Sequence, residues 1–174
     1  MIEALLHYGA AAQKYMNYKT GKLANKGLTA PTYPNTIENN QKTIGAANVT
    51  GAQFTALGVH HSNVNKIYAK ITVKNTVDVS ELEVTINEKS AIMELYSEGE
   101  NENVYIVYTD PINVKGFDDL YTIVLSNGTA SQTITYSINA YAKTKWGNNA
   151  SVTVVNNLAR ALYAYGVAAE AYAG

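Results

Sequence analysis

The chain has 174 residues, enough for one ordinary domain or for one domain with a helical appendage. Apolar residues make up 47% and charged residues 16%, a balance that is typical of a folded core and excludes a wholly disordered chain. The net charge of −1 argues against nucleic acid and anionic membrane as electrostatic partners, and the absence of cysteine excludes thiol catalysis, disulfides and thiolate metal sites.

The first predicted element is a helix within residues 1–18. Leu5, Tyr8, Ala12 and Tyr15 recur at spacings of three, four and three, which places them on one stripe of a helix. Residues 19–48 are predicted to be a connector, because they combine glycine and proline with no apolar periodicity.

Residues 49–145 are predicted to form an antiparallel, immunoglobulin-like β-sandwich of about seven strands, which makes the fold class α+β. The apolar pattern changes there to a period of two, and turn residues separate the runs. Such runs predict strands at 67–73, 82–86, 92–96, 104–108, 120–125 and 133–141. The most strongly indicated hairpin turns at Asn127–Gly128.

A C-terminal helix is predicted over 151–173, and its sequence nearly repeats the first helix. Residues 4–15 and 161–172 agree at seven of twelve positions. The matches are Ala4/Ala161, Leu5/Leu162, Tyr8/Tyr165, Gly9/Gly166, Ala11/Ala168, Ala12/Ala169 and Tyr15/Tyr172. Self-similarity at a wide spacing indicates modular architecture, so the first helix is also interpreted as the tail of a preceding repeat.

Gly9 and Gly166 lie in the middle of these helices, where each lowers helix stability by about 1 kcal/mol relative to alanine. The expectation is that they allow two backbones to approach closely, so that the helices pack on each other or on equivalent helices of neighbouring modules. The alternative is two independent amphipathic helices that lie on the sandwich.

The string L-H-Y-G-A-A-A-Q-K-Y-M-N-Y from Leu6 to Tyr18, followed by Leu23-Ala24-Asn25, resembles segments near the C-termini of large secreted or cell-surface proteins of gut Firmicutes. In that family a Y-G-x-x-A-Q-x-Y-F-x-Y helix precedes a β-rich module that ends in a second Y-G-x-A-A helix. Met16 stands where phenylalanine is usual. The resemblance implies an extracellular repeat module, and it carries no catalytic residues.

Trp146, the only tryptophan, is the first candidate ligand-binding residue. With Tyr141, Asn148 and Asn149 it could bind a sugar, because an indole stacks on a sugar face and amides bind hydroxyls. The alternative is that Trp146 fills space where the last strand meets the helix. Tyr105 and Tyr121 are open to the same two interpretations.

No metal site or cofactor is predicted. His60 and His61 are adjacent, and neighbouring side chains on a strand point to opposite faces, so the two rings cannot easily share one metal ion. Asp110, Asp118 and Asp119 would form at most a weak loop site for calcium, since the D-x-D-x-D-G register is missing.

The predicted function is a non-catalytic structural, spacer or interaction module of a secreted or cell-surface multidomain bacterial protein. The alternative is a carbohydrate-binding or adhesion module that uses surface aromatics near Trp146. The expected partners are neighbouring domains of the same polypeptide, a glycan or a host or cell-surface protein. Neither nucleic-acid binding nor membrane insertion is expected, and no catalytic residue is predicted.

Overall fold

The computed structural model describes residues 1–22, 27–28, 36–37, 40–146 and 153–173. Its fold class is α+β, with two antiparallel sheets and both terminal helices, as the sequence predicts. The described residues divide into two compact units. The helical unit is formed within 1–40, 113–118 and 138–173, and the β unit within 41–112 and 119–137.

The β unit has nine strands among its described residues, two more than the sequence predicts. In chain order they are β1 (Thr43–Ile44), β2 (Ala52–His61), β3 (Asn65–Lys74), β4 (Glu83–Ile86), β5 (Lys89–Ser90), β6 (Glu94–Ser97), β7 (Glu102–Tyr108), β8 (Tyr121–Ser126) and β9 (Ser131–Tyr136). Sheet A has the order β1-β9-β8-β4-β5, and sheet B has the order β2-β3-β7-β6. Every strand pair is antiparallel.

The core of the β unit is built from the alternate residues of its longest strands. On β3 the residues Ile67, Ala69, Ile71 and Val73 are buried, while the residues between them are partly exposed. Sheet A contributes the buried Val84, Ile123, Leu125 and Ile134. This is the period-two pattern expected of strands that bury one face and leave the other at the surface.

The predicted hairpin around Asn127–Gly128 is confirmed, because β8 and β9 pair from Tyr121↔Tyr136 to Ser126↔Ser131. Gln132 on β9 also connects the two sheets. Its Oε1 accepts from the Phe54 N–H of β2 at 2.9 Å, and its Nε2 donates to the Gly45 carbonyl at 3.2 Å. The side chain is 3% exposed, so these bonds satisfy a buried amide.

The helical unit contains α1 (Ile2–Tyr15), α2 (Ile138–Trp146) and α3 (Thr153–Ala173), with a short 3₁₀ turn at Val114–Gly116. The strand predicted over 133–141 is therefore wrong beyond Tyr136. Apolar residues continue to alternate through Ile138, Ala140 and Ala142, and this alternation imitates a strand. All five residues from 138 to 142 are buried, and a helix that is buried all round has no amphipathic pattern to reveal it.

The two terminal helices pack on each other, as one of the two alternatives predicts. The contact includes a stack of Tyr8 on Tyr165, with ring centroids 5.7 Å apart and planes inclined by 16°. The predicted stripe of α1 is only partly right, because Leu5 and Tyr15 on that stripe are exposed. His7 is instead the buried residue of the helix.

The expected backbone-to-backbone approach at the two glycines is wrong. A Cβ built at Gly166 would lie 3.1 Å from Cδ2 and 3.4 Å from Cβ of Phe117, so α3 faces an aromatic side chain there. A Cβ built at Gly9 has no described atom within 4 Å. Phe117 is 2% exposed and follows the 3₁₀ turn, and its carbonyl accepts from the Asn139 N–H at 2.9 Å.

Candidate functional site

Trp146 is a packing residue of the helical unit. Its ring meets that of Tyr163 edge-on, with centroids 5.9 Å apart and planes at 84°. The guanidinium carbon of Arg160 lies 5.1 Å from the indole centroid, within cation–π range. The indole also packs on a buried cluster that includes Ala142 and Ala159. These contacts are the ones expected if the indole fills space, although the helix α2 replaces the strand that was expected to precede it.

Of the other residues of that predicted sugar site, Tyr141 alone lies among the described residues. Tyr141 is 8% exposed and belongs to the core of α2. Asn148 and Asn149 lie outside the described residues. Tyr105 is half-buried on β7.

A cluster of tyrosines does lie at the surface of sheet B. We call it the tyrosine face, and it consists of His60, Tyr68, Lys70, Tyr96 and Tyr108. Tyr68 opposes Tyr108 across β3 and β7, and their ring centroids are 6.4 Å apart. The ring of His60 meets Tyr108 edge-on at 5.8 Å. The buried neighbours of Tyr68 on β3 show that this is the side of the sheet facing away from the core.

Gly58 on β2 determines how the ring of Tyr68 lies. A Cβ at this position would be 2.6 Å from the Tyr68 Oη and 2.7 Å from its Cε1 and Cζ. Only glycine leaves that volume empty, so the tyrosine ring extends across the neighbouring strand. The strand pairing thereby provides an extended aromatic surface.

Lys70 adds a positive charge to this surface. Its ammonium nitrogen lies 3.4 Å from the ring centroid of Tyr96, a cation–π contact. The same lysine lowers the pKa of the Tyr96 hydroxyl through a hydrogen bond and its charge. Tyr96 is 56% exposed, so its hydroxyl and much of its ring are accessible to a ligand.

An open concavity of about 500 Å³ adjoins the tyrosine face, because Tyr108 belongs to both. Lys66 also lines this concavity. Its wall also includes Asn87, Asp110 and Tyr121. Burial, followed by the charges of Asp119 and Asp110, raises the pKa of Tyr121 above its ordinary value, which keeps the phenol protonated as a hydrogen-bond donor. The concavity combines amide, carboxylate, ammonium and phenol groups that can bind hydroxyls.

Asp110 and Asp119, two of the aspartates considered for a weak loop site, lie near Tyr121. Asp119 and Asp110 both act on Tyr121, but no group of three histidine, aspartate or glutamate side chains among the described residues could hold a metal ion. The two adjacent histidines have different partners. His60 contacts Tyr108, while Nδ1 of His61 hydrogen-bonds Oδ1 of Asn65 at 2.9 Å.

Sequence reasoning missed the residues of the tyrosine face as a group. The local signal is present, since Tyr68 and Lys70 occupy the outward positions between the apolar residues of β3. Their association with Tyr96 and Tyr108 depends on the strand order of sheet B, which no sequence pattern states. Gly58 offers a second signal, because a glycine within a strand often marks the close approach of another group.

No protein-family model, curated protein or solved structure matches this chain. None of the helices in the described part of the chain is both long and apolar enough to cross a bilayer.

Proposed function

We propose that this chain is a non-catalytic structural and interaction module of a secreted or cell-surface multidomain bacterial protein. The observation that carries the proposal is the packing of Trp146. The side chain best suited to stack on a ligand is partly buried and packs against Tyr163 and Arg160 instead. The terminal helices use their repeated residues in the same way, since Tyr8 stacks on Tyr165. The expected partners are neighbouring domains of the same polypeptide.

The variant Trp146→Ala tests this proposal. If the indole is structural, its removal should lower the free energy of unfolding by about 2–3 kcal/mol, somewhat less than for a fully buried aromatic residue. Helix loss followed by circular dichroism at 222 nm would measure this, because the variant lacks the tryptophan signal. The result that would contradict the structural role is unchanged stability together with the loss of binding to a glycan that the wild-type chain retains.

A second candidate function, carbohydrate binding, is favoured by the tyrosine face. Tyr68, Tyr96 and Tyr108 offer ring surfaces, and the adjoining concavity offers polar groups that can hydrogen-bond sugar hydroxyls. Sugar sites commonly combine these two elements, an aromatic surface and a small set of convergent polar groups. This candidate uses other residues than those predicted near Trp146, while the ligand class is the predicted one.

Affinity electrophoresis in gels that contain neutral polysaccharides would test the second candidate. The expected result is that the wild-type chain is retarded and that Tyr68→Ala weakens binding at least about tenfold, equivalent to about 1.4 kcal/mol. Tyr172→Ala is the matched control, since Tyr172 is exposed on α3 in the helical unit. Equal retardation of both variants, or no retardation of the wild type, would reject the tyrosine face as a sugar site.

A further inference from the structure

The seven residues shared by α1 and α3 divide into two faces of each helix. One set has the spacing four, three, four and includes the stacked tyrosines: Ala4, Tyr8, Ala11 and Tyr15, matched by Ala161, Tyr165, Ala168 and Tyr172. We call it the pairing face. Because Tyr8 stacks on its own counterpart, Tyr165, the two helices meet through equivalent positions.

The remaining shared residues form a second face, the docking face. It consists of Leu5, Gly9 and Ala12 on α1, and of Leu162, Gly166 and Ala169 on α3. On α3 this face is covered, with Leu162 fully buried and Gly166 against the ring of Phe117. The duplication therefore preserves a surface that receives an aromatic side chain from a loop.

On α1 the docking face is only partly covered, since Gly9 and Ala12 are half-buried. Leu5 is 43% exposed, and its neighbours on the same side of the helix, Ile2 and Met16, are 72% and 46% exposed. The position equivalent to Ile2 on α3 is Ala159, which is 1% exposed. An apolar helix face of this kind in contact with water is typical of a surface that binds another element.

Gly9 provides a separate argument for what covers this face. A glycine in the interior of a helix lowers helix stability, so it needs a reason. At Gly9 no neighbouring atom lies within 4 Å of an added Cβ, so nothing in the described structure requires a residue without a side chain there. At the equivalent position of α3 the requirement is visible, since Phe117 occupies the space where a Cβ would be. The open space at Gly9 would accept an aromatic ring in the way that Gly166 accepts Phe117.

We propose that the docking face of α1 binds the Phe117-type loop of another module of this same kind, positioned before this one in the parent polypeptide, so that α1 serves that module as its α3. The proposal rests on the structural role proposed above and names the partner. The pairing of α1 with α3 then joins two consecutive modules. The upstream module contributes α1 and docks its Phe117-type loop on it, and the downstream module contributes α3 and docks Phe117 on it.

A two-module chain tests the proposal. Its upstream copy is residues 18–160, and its downstream copy, residues 4–174, follows directly. The upstream copy therefore lacks its own Ala161–Tyr172, and the segment Ala4–Tyr15 of the downstream copy takes that place. The downstream copy carries Trp146→Phe, which leaves the upstream Trp146 as the only tryptophan. We expect its fluorescence to show a cooperative thermal transition with a midpoint within about 5 °C of that of the single chain. Absence of that transition, with the downstream copy folded by circular dichroism, would overturn the proposal.

A glycine variant gives a second, independent readout. Gly9→Leu in the shared helix should lower the upstream midpoint by about 3–8 °C, whereas Gly9→Leu in the single chain should not lower its midpoint. Equal effects in both contexts would overturn the proposal. The proposal would also be overturned if the single chain dimerised in sedimentation experiments and Leu5→Asp abolished the dimer, because the docking face would then bind a second copy of the chain. The Trp146→Ala test is made on the single chain. Its result therefore decides the structural role proposed above independently of the binding between modules.

Discussion

Gly166→Leu is the most direct test of how α3 packs. The glycine leaves room for Phe117, whose Cδ2 and Cβ would lie 3.1 Å and 3.4 Å from a new Cβ. Phe117 is 2% exposed and cannot withdraw without opening a gap elsewhere. A leucine adds three further carbons beyond that Cβ, so the side chain and the ring compete for one volume.

The expected magnitude follows from two opposing contributions. Overpacking a buried site costs about 1–3 kcal/mol. Leucine is a better helix former than glycine by about 0.8 kcal/mol, which offsets part of the loss. A net destabilisation of about 0.2–2.2 kcal/mol is therefore expected for Gly166→Leu.

Gly9→Leu is the matched control, because it makes the same substitution at the equivalent position of the repeated sequence. Its new side chain meets no described atom at the Cβ position, so only the helix-propensity gain should remain. Subtracting the two changes cancels that gain and isolates the packing cost, about 1–3 kcal/mol. Urea unfolding followed by Trp146 fluorescence would measure both, since Trp146 reports on the helical unit. Equal midpoints for the two variants would refute the argument.

Three further predictions concern the β unit. Gln132→Leu should destabilise the chain by about 1–3 kcal/mol in urea unfolding, because it leaves the half-buried N–H of Phe54 without its amide partner, whereas the exposed Gly45 carbonyl can bind water. Burial holds the pKa of His61 below its ordinary 6.5, so the unfolded state takes up the proton first. The free energy of unfolding should therefore fall as the pH drops below about 6.5. His61→Gln should make this free energy less dependent on pH, which urea unfolding at several values between about pH 5 and pH 8 would measure. Gly58→Ala should displace the ring of Tyr68 and weaken any sugar binding at the tyrosine face, while a change in unfolding free energy beyond about 1 kcal/mol would show that the glycine is needed for folding instead.

Patterns that are local in the sequence predicted the structure where one face of an element is buried and the other is not. The hairpin at Asn127–Gly128 has both a period-two pattern and turn residues, and it is present. The helix α2 was missed because its residues from 138 to 142 are all buried, so no periodicity distinguishes it from a strand. The partner of Gly166 could not be predicted either, since the contact with Phe117 depends on a loop distant in sequence.

The two terminal helices show why the candidate site was harder to predict than the fold. Leu5 and Leu162 occupy equivalent positions in almost the same sequence, yet the first is 43% exposed and the second is fully buried. Helix propensity and periodicity are the same for both, so only the surrounding fold distinguishes them. A helix that packs on one side alone usually carries polar residues on its remaining surface, and α1 has leucine and glycine on its docking face. That departure is explained if the chain keeps the docking face of α1 for a neighbouring module, as α3 keeps the same face for Phe117.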